Sequence, residues 1–392
     1  MHARPCLLNA SIRMIALKLL TLIRAYVHTV ITIALLLLAP LSVAATTETN
    51  KQLIKALYIP LADHYAALVA YERYRDEMQY ANFQIEQMKN WDLLRGYFQS
   101  GEVDMAFVMS PLAMEMFIEK PHFRWIGLMH RDGNALAINE RLNSEVKLPT
   151  HRNERKPDMK VAEALKNAHK KTGRATEIGV PHLLATHSVV LYRYLKENGL
   201  NMSLSSNSRG EVLAIAVAPP RSPAFIKGKS NRALPAAFEQ SLPWADVVET
   251  QGYGYVAWYS KDVMPWKHGH VECIALATDD AIVKKTQATK EVMHYIHKAG
   301  EDIERARKTG GNALDRIVNI VRKHIPAHTR DSIIASLDPE LRVINYEHLN
   351  VDKEGLKQIM DLAVEGGILS RPIDIESFAD IRFGVSESNP GR

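Results

Sequence analysis

Between Tyr58 and Asn139 the chain alternates apolar strand-like runs with helical ones, and a polar or cap-forming residue stands at each strand-to-helix junction. This pattern predicts an α/β fold built on parallel strands. It also sets helix N-termini, with their free N–H groups and partial positive charge, at the carboxyl edge of a sheet. Such an edge suits a small anion.

The first junction, Tyr58-Ile59-Pro60-Leu61-Ala62-Asp63-His64-Tyr65, opens a helix running through Leu68, Val69 and Tyr74. Asn90 is placed to cap a second helix that begins at Trp91, reaches Ser100 and stops at Gly101. Ser110-Pro111 starts a third after the buried strand 105–109, the serine as cap and the proline at the first helical position. A fourth strand, 125–128, leads into Asp132-Gly133-Asn134-Ala135.

The ordered set of Ile59-Pro60-Leu61-Ala62-Asp63, Trp91-Asp92-Leu93-Leu94-Arg95, Gly101-Glu102-Val103-Asp104, Ser110-Pro111-Leu112-Ala113-Met114 and Gly133-Asn134-Ala135 resembles the solute-binding proteins of nitrate, bicarbonate and sulfonate ABC transporters. Thr186-His187 before Leu191-Tyr192-Arg193-Tyr194-Leu195, Ala218-Pro219-Pro220 and Pro265-Trp266-Lys267-His268 are similar to further segments of that family. The likeness covers most of residues 55–383 and thins at 234–246 and 252–255. It implies a two-lobe type II periplasmic binding protein, with one lobe formed by 46–138 and 275–392, the other by 139–274, and a hinge-linked cleft between them. It also implies a monomeric periplasmic receptor, not an enzyme, that takes a small anion and serves an inner-membrane permease and ATPase. The alternative ligand is a thiamine-precursor pyrimidine, for which Trp91, Tyr65, Tyr253 and Tyr255 form an aromatic wall. The cysteine-rich motif of a pyrimidine synthase that shares the fold is absent from the sequence.

An oxyanion leaving water needs donors on several sides. Trp91 offers an indole N–H at a helix start, Asn134 an amide beside Gly133, His187 a ring N–H in a first helical turn, and Lys267 a formal charge. Ser110 and His64 stand at the other junctions, and Asp63 reads as a helix cap. No cofactor is expected. His268-Gly269-His270 has nonspecific spacing and no neighbouring Cys or carboxylate pattern, so no metal site is expected either.

The net charge of +5 says little about partners. Residues 1–45 hold Arg4, Arg13, Lys18 and Arg24 and no acid, which leaves 45 basic against 44 acidic side chains in the rest. Nucleic acid is therefore not an expected partner. The leader has basic residues, an apolar run at 30–39 and small residues to Ala45, as an export signal cleaved after Ala44 or Ala45 would; retention as an anchor is the alternative, and Met14 is a second candidate start. Of the two cysteines, Cys6 lies in the leader, and Cys273 sits in an apolar run as a buried thiol.

Overall fold

The computed structural model describes residues 14–15, 17–24, 26–28, 51–206 and 210–385. Residues 1–48 and 49–392 are separate compact units. The described residues of the first are helical, and the expected cleavage site lies outside the described residues. No described helix is long and apolar enough to cross a membrane.

The second unit is built on two mixed sheets. Its strands are β1 (Gln52–Tyr58), β2 (Ala81–Gln87), β3 (Met105–Met109), β4 (Phe123–Leu128), β5 (Arg131–Asp132), β6 (Asn134–Ile138), β7 (Thr176–Val180), β8 (Met202–Ser203), β9 (Val212–Ala216), β10 (Ala237–Ser241), β11 (Tyr255–Tyr259), β12 (Cys273–Thr278) and β13 (Ile344–Asn345). The first sheet runs β2-β1-β3-β12-β4, the second β11-β6-β10-β7-β9-β8. In the first, β1 lies parallel to β2 and β3, while β12 returns antiparallel to β3 and β4. The chain thus leaves the first sheet after β4, builds the second, and comes back as β12.

Local chemistry accounts for the junctions. Asn90 Oδ1 accepts from Leu93 N at 2.9 Å, and Gly101 ends that helix with φ 82°, a conformation that favours glycine. Ser110 departs from expectation. It is the first helical residue and makes no capping bond, because its hydroxyl turns instead to Thr186 Oγ1 at 3.3 Å. The long helical pattern after β12 divides into Asp279–Lys284 and Thr286–Thr309. The break frees Lys285 to reach Leu53 O at 2.8 Å and Asp104 Oδ1 at 2.6 Å, tying the returning helices to the edge of β1.

Two segments cross between the sheets, 129–133 and 260–272, and they pair with each other. Asp132 N donates to His270 O at 3.1 Å, and His270 N donates to Asp132 Oδ1 at 2.9 Å. β13 adds a third strand segment against β5. Gly133, with φ 91°, turns the first crossing sharply; an added Cβ would sit 3.0 Å from the His130 ring.

Candidate functional site

Where the crossings meet the carboxyl edges of β1, β3 and β10, polar side chains gather that have no accessible surface. Asp63, His64, Ser110, His130, Asn134, Thr186, His187, Glu239, Ser241, Ser260, His270, Glu272 and Cys273 are all 0% exposed. They come from the turn after β1, the helix starts after β3 and β7, the strand β10, and both crossings. Burying so many ionisable groups is costly unless each is paired or holds something.

The hydrogen-bond chain fixes several protons. Ser241 Oγ donates to Asp63 Oδ2 at 3.0 Å, so His187 Nε2, 2.8 Å from the same oxygen, is the donor of that contact. The Nδ1 atom of neutral His187 is then a bare lone pair, and it faces Glu272 Oε1 at 3.4 Å. Neither atom has a hydrogen-bond partner. A parallel relay serves His270: its Nδ1 donates to Val271 O at 3.2 Å, its Nε2 accepts from Ser260, and Ser260 Oγ accepts from Asn134 N. His64 Nδ1 lies 2.7 Å from Ile59 O and 3.1 Å from Ile59 N; with its proton on the shorter contact, to the carbonyl, Nε2 is left to accept from the Cys273 thiol at 3.2 Å.

His130 stands between two acids. Its Nε2 lies 3.1 Å from Glu272 Oε2 and 3.6 Å from Asp63 Oδ1. Burial alone would lower the His130 pKa, but the Asp63 and Glu272 carboxylates outweigh it and raise it to about 10. Burial would raise Asp63, and the imidazolium of His130 more than offsets that, so this carboxyl is held low. Glu272 is pushed up to about 7 by burial and by the Asp63 charge, against the pull of His130. Glu239 is raised well above the ordinary range, by burial and then by the other two carboxylates. His64 falls to about 4, and His187 and His270 to about 3, chiefly through burial.

Of the residues the sequence singles out, His64, Ser110, Asn134 and His187 are brought into this group, and Gly133 shapes the crossing beside it. Trp91 is 2% exposed, its ring 6.3 Å from His64 and its Nε1 without a partner. Lys267 is not brought in. It is exposed on the loop after Pro265, where its ammonium stays solvated, and lines a surface groove with Asp132, Asp262 and Trp266. Asp63 does not cap a helix; its carboxylate turns inward to Ser241 and His130. Tyr65 is buried against His328, whereas Tyr253 lies beneath Lys227 at 5.0 Å and Tyr255 is only partly buried, so these aromatics form no common wall.

His130, Glu239 and Glu272 escape the sequence reading. Glu239 and Glu272 do interrupt apolar strand runs, in Ala236-Ala237-Phe238-Glu239 and Val271-Glu272-Cys273-Ile274, and that interruption is the signal that marks them. Among the described residues the cation beside these acids is the His130 imidazolium, not a lysine or arginine. Arg131 is the neighbour in sequence, but its guanidinium reaches Asp352 at 2.8 Å and the carbonyls of Gly269 and His348.

Comparison places this arrangement among known folds. The NMT1-like family profile matches residues 47–313. Solved structures similar in fold include the ligand-binding component of an ABC-type import system from Staphylococcus aureus with zinc bound, at 18% identity, covering 85% of this chain and 98% of that one, with a TM-score of 0.64. The periplasmic nitrate-binding protein of Synechocystis PCC 6803 shares 16% identity over 84% of each chain, TM-score 0.68. The periplasmic aliphatic sulphonate-binding protein of Escherichia coli shares 12% identity over 83% of this chain and 91% of that one, TM-score 0.58. Comparison with curated proteins gives no match. With the profile covering more than half of its length, and two sheets joined by paired crossings, the chain belongs to the NMT1-like family and has the fold of a periplasmic binding protein.

Proposed function

We propose that this chain is the periplasmic solute-binding component of an ABC-type importer, acting as a monomer with a membrane permease and ATPase. Its solute seats at the buried group around Asp63, His130, His187 and Glu272. The lobes are 46–138 with 275–392, and 139–274, and the crossings between them serve as the hinge that closes on the solute.

The sequence resemblance points to a small anion, and the charges here weigh against one. Three buried acidic side chains, Asp63, Glu239 and Glu272, gather here against one imidazolium, His130, and the expected cation, Lys267, is on the surface. The observation that carries the reading is the contact of His187 Nδ1 with Glu272 Oε1 at 3.4 Å: once Glu272, whose pKa is pushed up to about 7, gives up its proton, two bare acceptors face each other. That pair calls for a guest that donates protons or carries positive charge. An amino-substituted heteroaromatic of the thiamine-precursor class also meets the requirement, since its exocyclic N–H groups can reach a carboxylate and its ring can lie against Trp91.

Thermal-shift measurement with nitrate, bicarbonate, methanesulfonate, 4-amino-5-hydroxymethyl-2-methylpyrimidine, simple amines and divalent cations tests this. The expected result is stabilisation by a member of the amine or cation group alone. Stabilisation by the anions alone, abolished by Lys267→Ala, contradicts it.

A further inference from the structure

One donor set within the buried group has the residue types and spacing of a metal site that a small shift would close. Asp63, His130, Glu272 and Cys273 each offer one ligand atom, and these atoms all lie within 4.8 Å of one another, with every side chain fully buried. We infer that the positively charged guest is a divalent transition-metal ion of the zinc type, held by Asp63, His130, Glu272 and Cys273. The inference rests on the functional reading above and names the class of solute within it.

Three features beyond the spacing support a metal. First, Asp63 Oδ1 and Glu272 Oε1 are buried and have no hydrogen-bond partner. A metal gives such lone pairs a partner without adding a large group. Second, the donors are one sulfur, one nitrogen and two carboxylates. Thiolate and imidazole select zinc-type ions over magnesium or calcium, which prefer all-oxygen sets. Third, surrounding groups are already oriented as the outer shell of a metal site is. His64 Nδ1 lies 2.7 Å from Ile59 O and its Nε2 3.2 Å from the Cys273 sulfur, so this ring holds the side chain of one ligand in place. The bare His187 Nδ1, 3.4 Å from Glu272 Oε1, supplies a further donor at the rim of the set.

Tetrahedral zinc needs ligand atoms about 3.3–3.8 Å apart, given bond lengths of about 2.0–2.3 Å, so the four donors draw in by roughly 1 Å on binding. Glu272 ends the second crossing and Cys273 begins β12 directly after it, while His130 lies on the first crossing and Asp63 on the turn after β1. Ligation therefore pulls both crossings and that turn together. Serine 241, which already links Asp63 to the second sheet, follows the same movement.

The test uses the chain freed of metal by a chelator and then titrated with Zn²⁺, followed by calorimetry and thermal melting, with Co²⁺ as a spectroscopic probe. One equivalent of Zn²⁺ is expected to bind and raise Tm. Co²⁺ is expected to give a thiolate charge-transfer band that disappears in Cys273→Ser, and Zn²⁺ affinity is expected to fall at least about tenfold in Glu272→Gln. Circular dichroism establishes that each variant is folded, and the cobalt spectrum of wild type provides a readout that needs no variant. Zn²⁺ binding lost in His268→Ala but kept in Cys273→Ser places the ion at the surface and overturns the inference, as does Co²⁺ binding without a thiolate band. No metal binding, with the pyrimidine or an amine stabilising the fold, overturns the metal while leaving the functional reading intact. Stabilisation by anions alone overturns both.

Discussion

Ser241, on β10 of the second sheet, donates its hydroxyl to Asp63, in the turn after β1 of the first, at 3.0 Å with both side chains fully buried. This bond is one of several that join the two halves of the fold, with Ala62 N to Leu242 O and Trp244 Nε1 to Pro60 O, and it sets the tautomer of His187. It follows that a hydroxyl deletion acts at a distance. Ser241→Ala is expected to destabilise the closed protein by about 1.5–3 kcal/mol, the range for a hydrogen bond to a charged group. Hydrogen exchange should show faster exchange in the turn Ala62–His64, while helix Thr286–Thr309 stays protected.

Glu239 is buried, and neither of its carboxyl oxygens has a partner. Removing an unsatisfied buried polar group relieves its desolvation. Glu239→Met, close in volume, is expected to stabilise the ligand-free protein by about 1–3 kcal/mol in urea unfolding. The same variant should weaken binding of the guest, which separates a functional acid from a structural one.

His328 stacks edge-on against Trp244 and pairs with Tyr65 OH at 2.9 Å. Burial lowers its pKa from 6.5 to about 3. The folded state therefore takes up its proton only near pH 3, whereas the unfolded chain takes it up near pH 6.5. The stability tied to neutral His328 is fully present above about pH 6.5 and is lost as pH falls from there towards 3. His328→Gln is expected to flatten this acid limb in Tm measured against pH, and an unchanged limb contradicts the assignment.

Gly133 adopts φ 91°, and an added Cβ meets the His130 ring at 3.0 Å. Gly133→Ala is expected to cost about 1–3 kcal/mol from backbone strain. It should also shift the His130 ring resonances in NMR, because the added methyl presses on that ring and on Ile344 Cδ1 at the same 3.0 Å.

The junctions were legible because their chemistry is local. Asn90 caps its helix and Gly101 ends it through bonds and dihedrals confined to neighbouring residues. His64, Ser110, Asn134 and His187 were legible as members of the buried polar group for the same reason, since each stands at the end of a strand or start of a helix. The acids were not, because Asp63, Glu239 and Glu272 meet only after the chain has crossed between the sheets twice. Cys273 shows the same limit: its sequence neighbours are apolar, as a structural thiol's would be, yet its partner His64 lies 209 positions away. Lys267 carried a motif and a charge, but nothing local reveals that its loop projects into water.

The most direct measurement sets Glu272→Gln beside Lys267→Ala in calorimetric titrations with Zn²⁺, 4-amino-5-hydroxymethyl-2-methylpyrimidine, nitrate and methanesulfonate. The account predicts that the cation or amine that binds wild type keeps its affinity in Lys267→Ala. In Glu272→Gln it loses at least about tenfold, as when a ligand or partner of a buried charged contact is removed. Nitrate or methanesulfonate binding tightly to wild type, surviving Glu272→Gln and vanishing in Lys267→Ala, would contradict it.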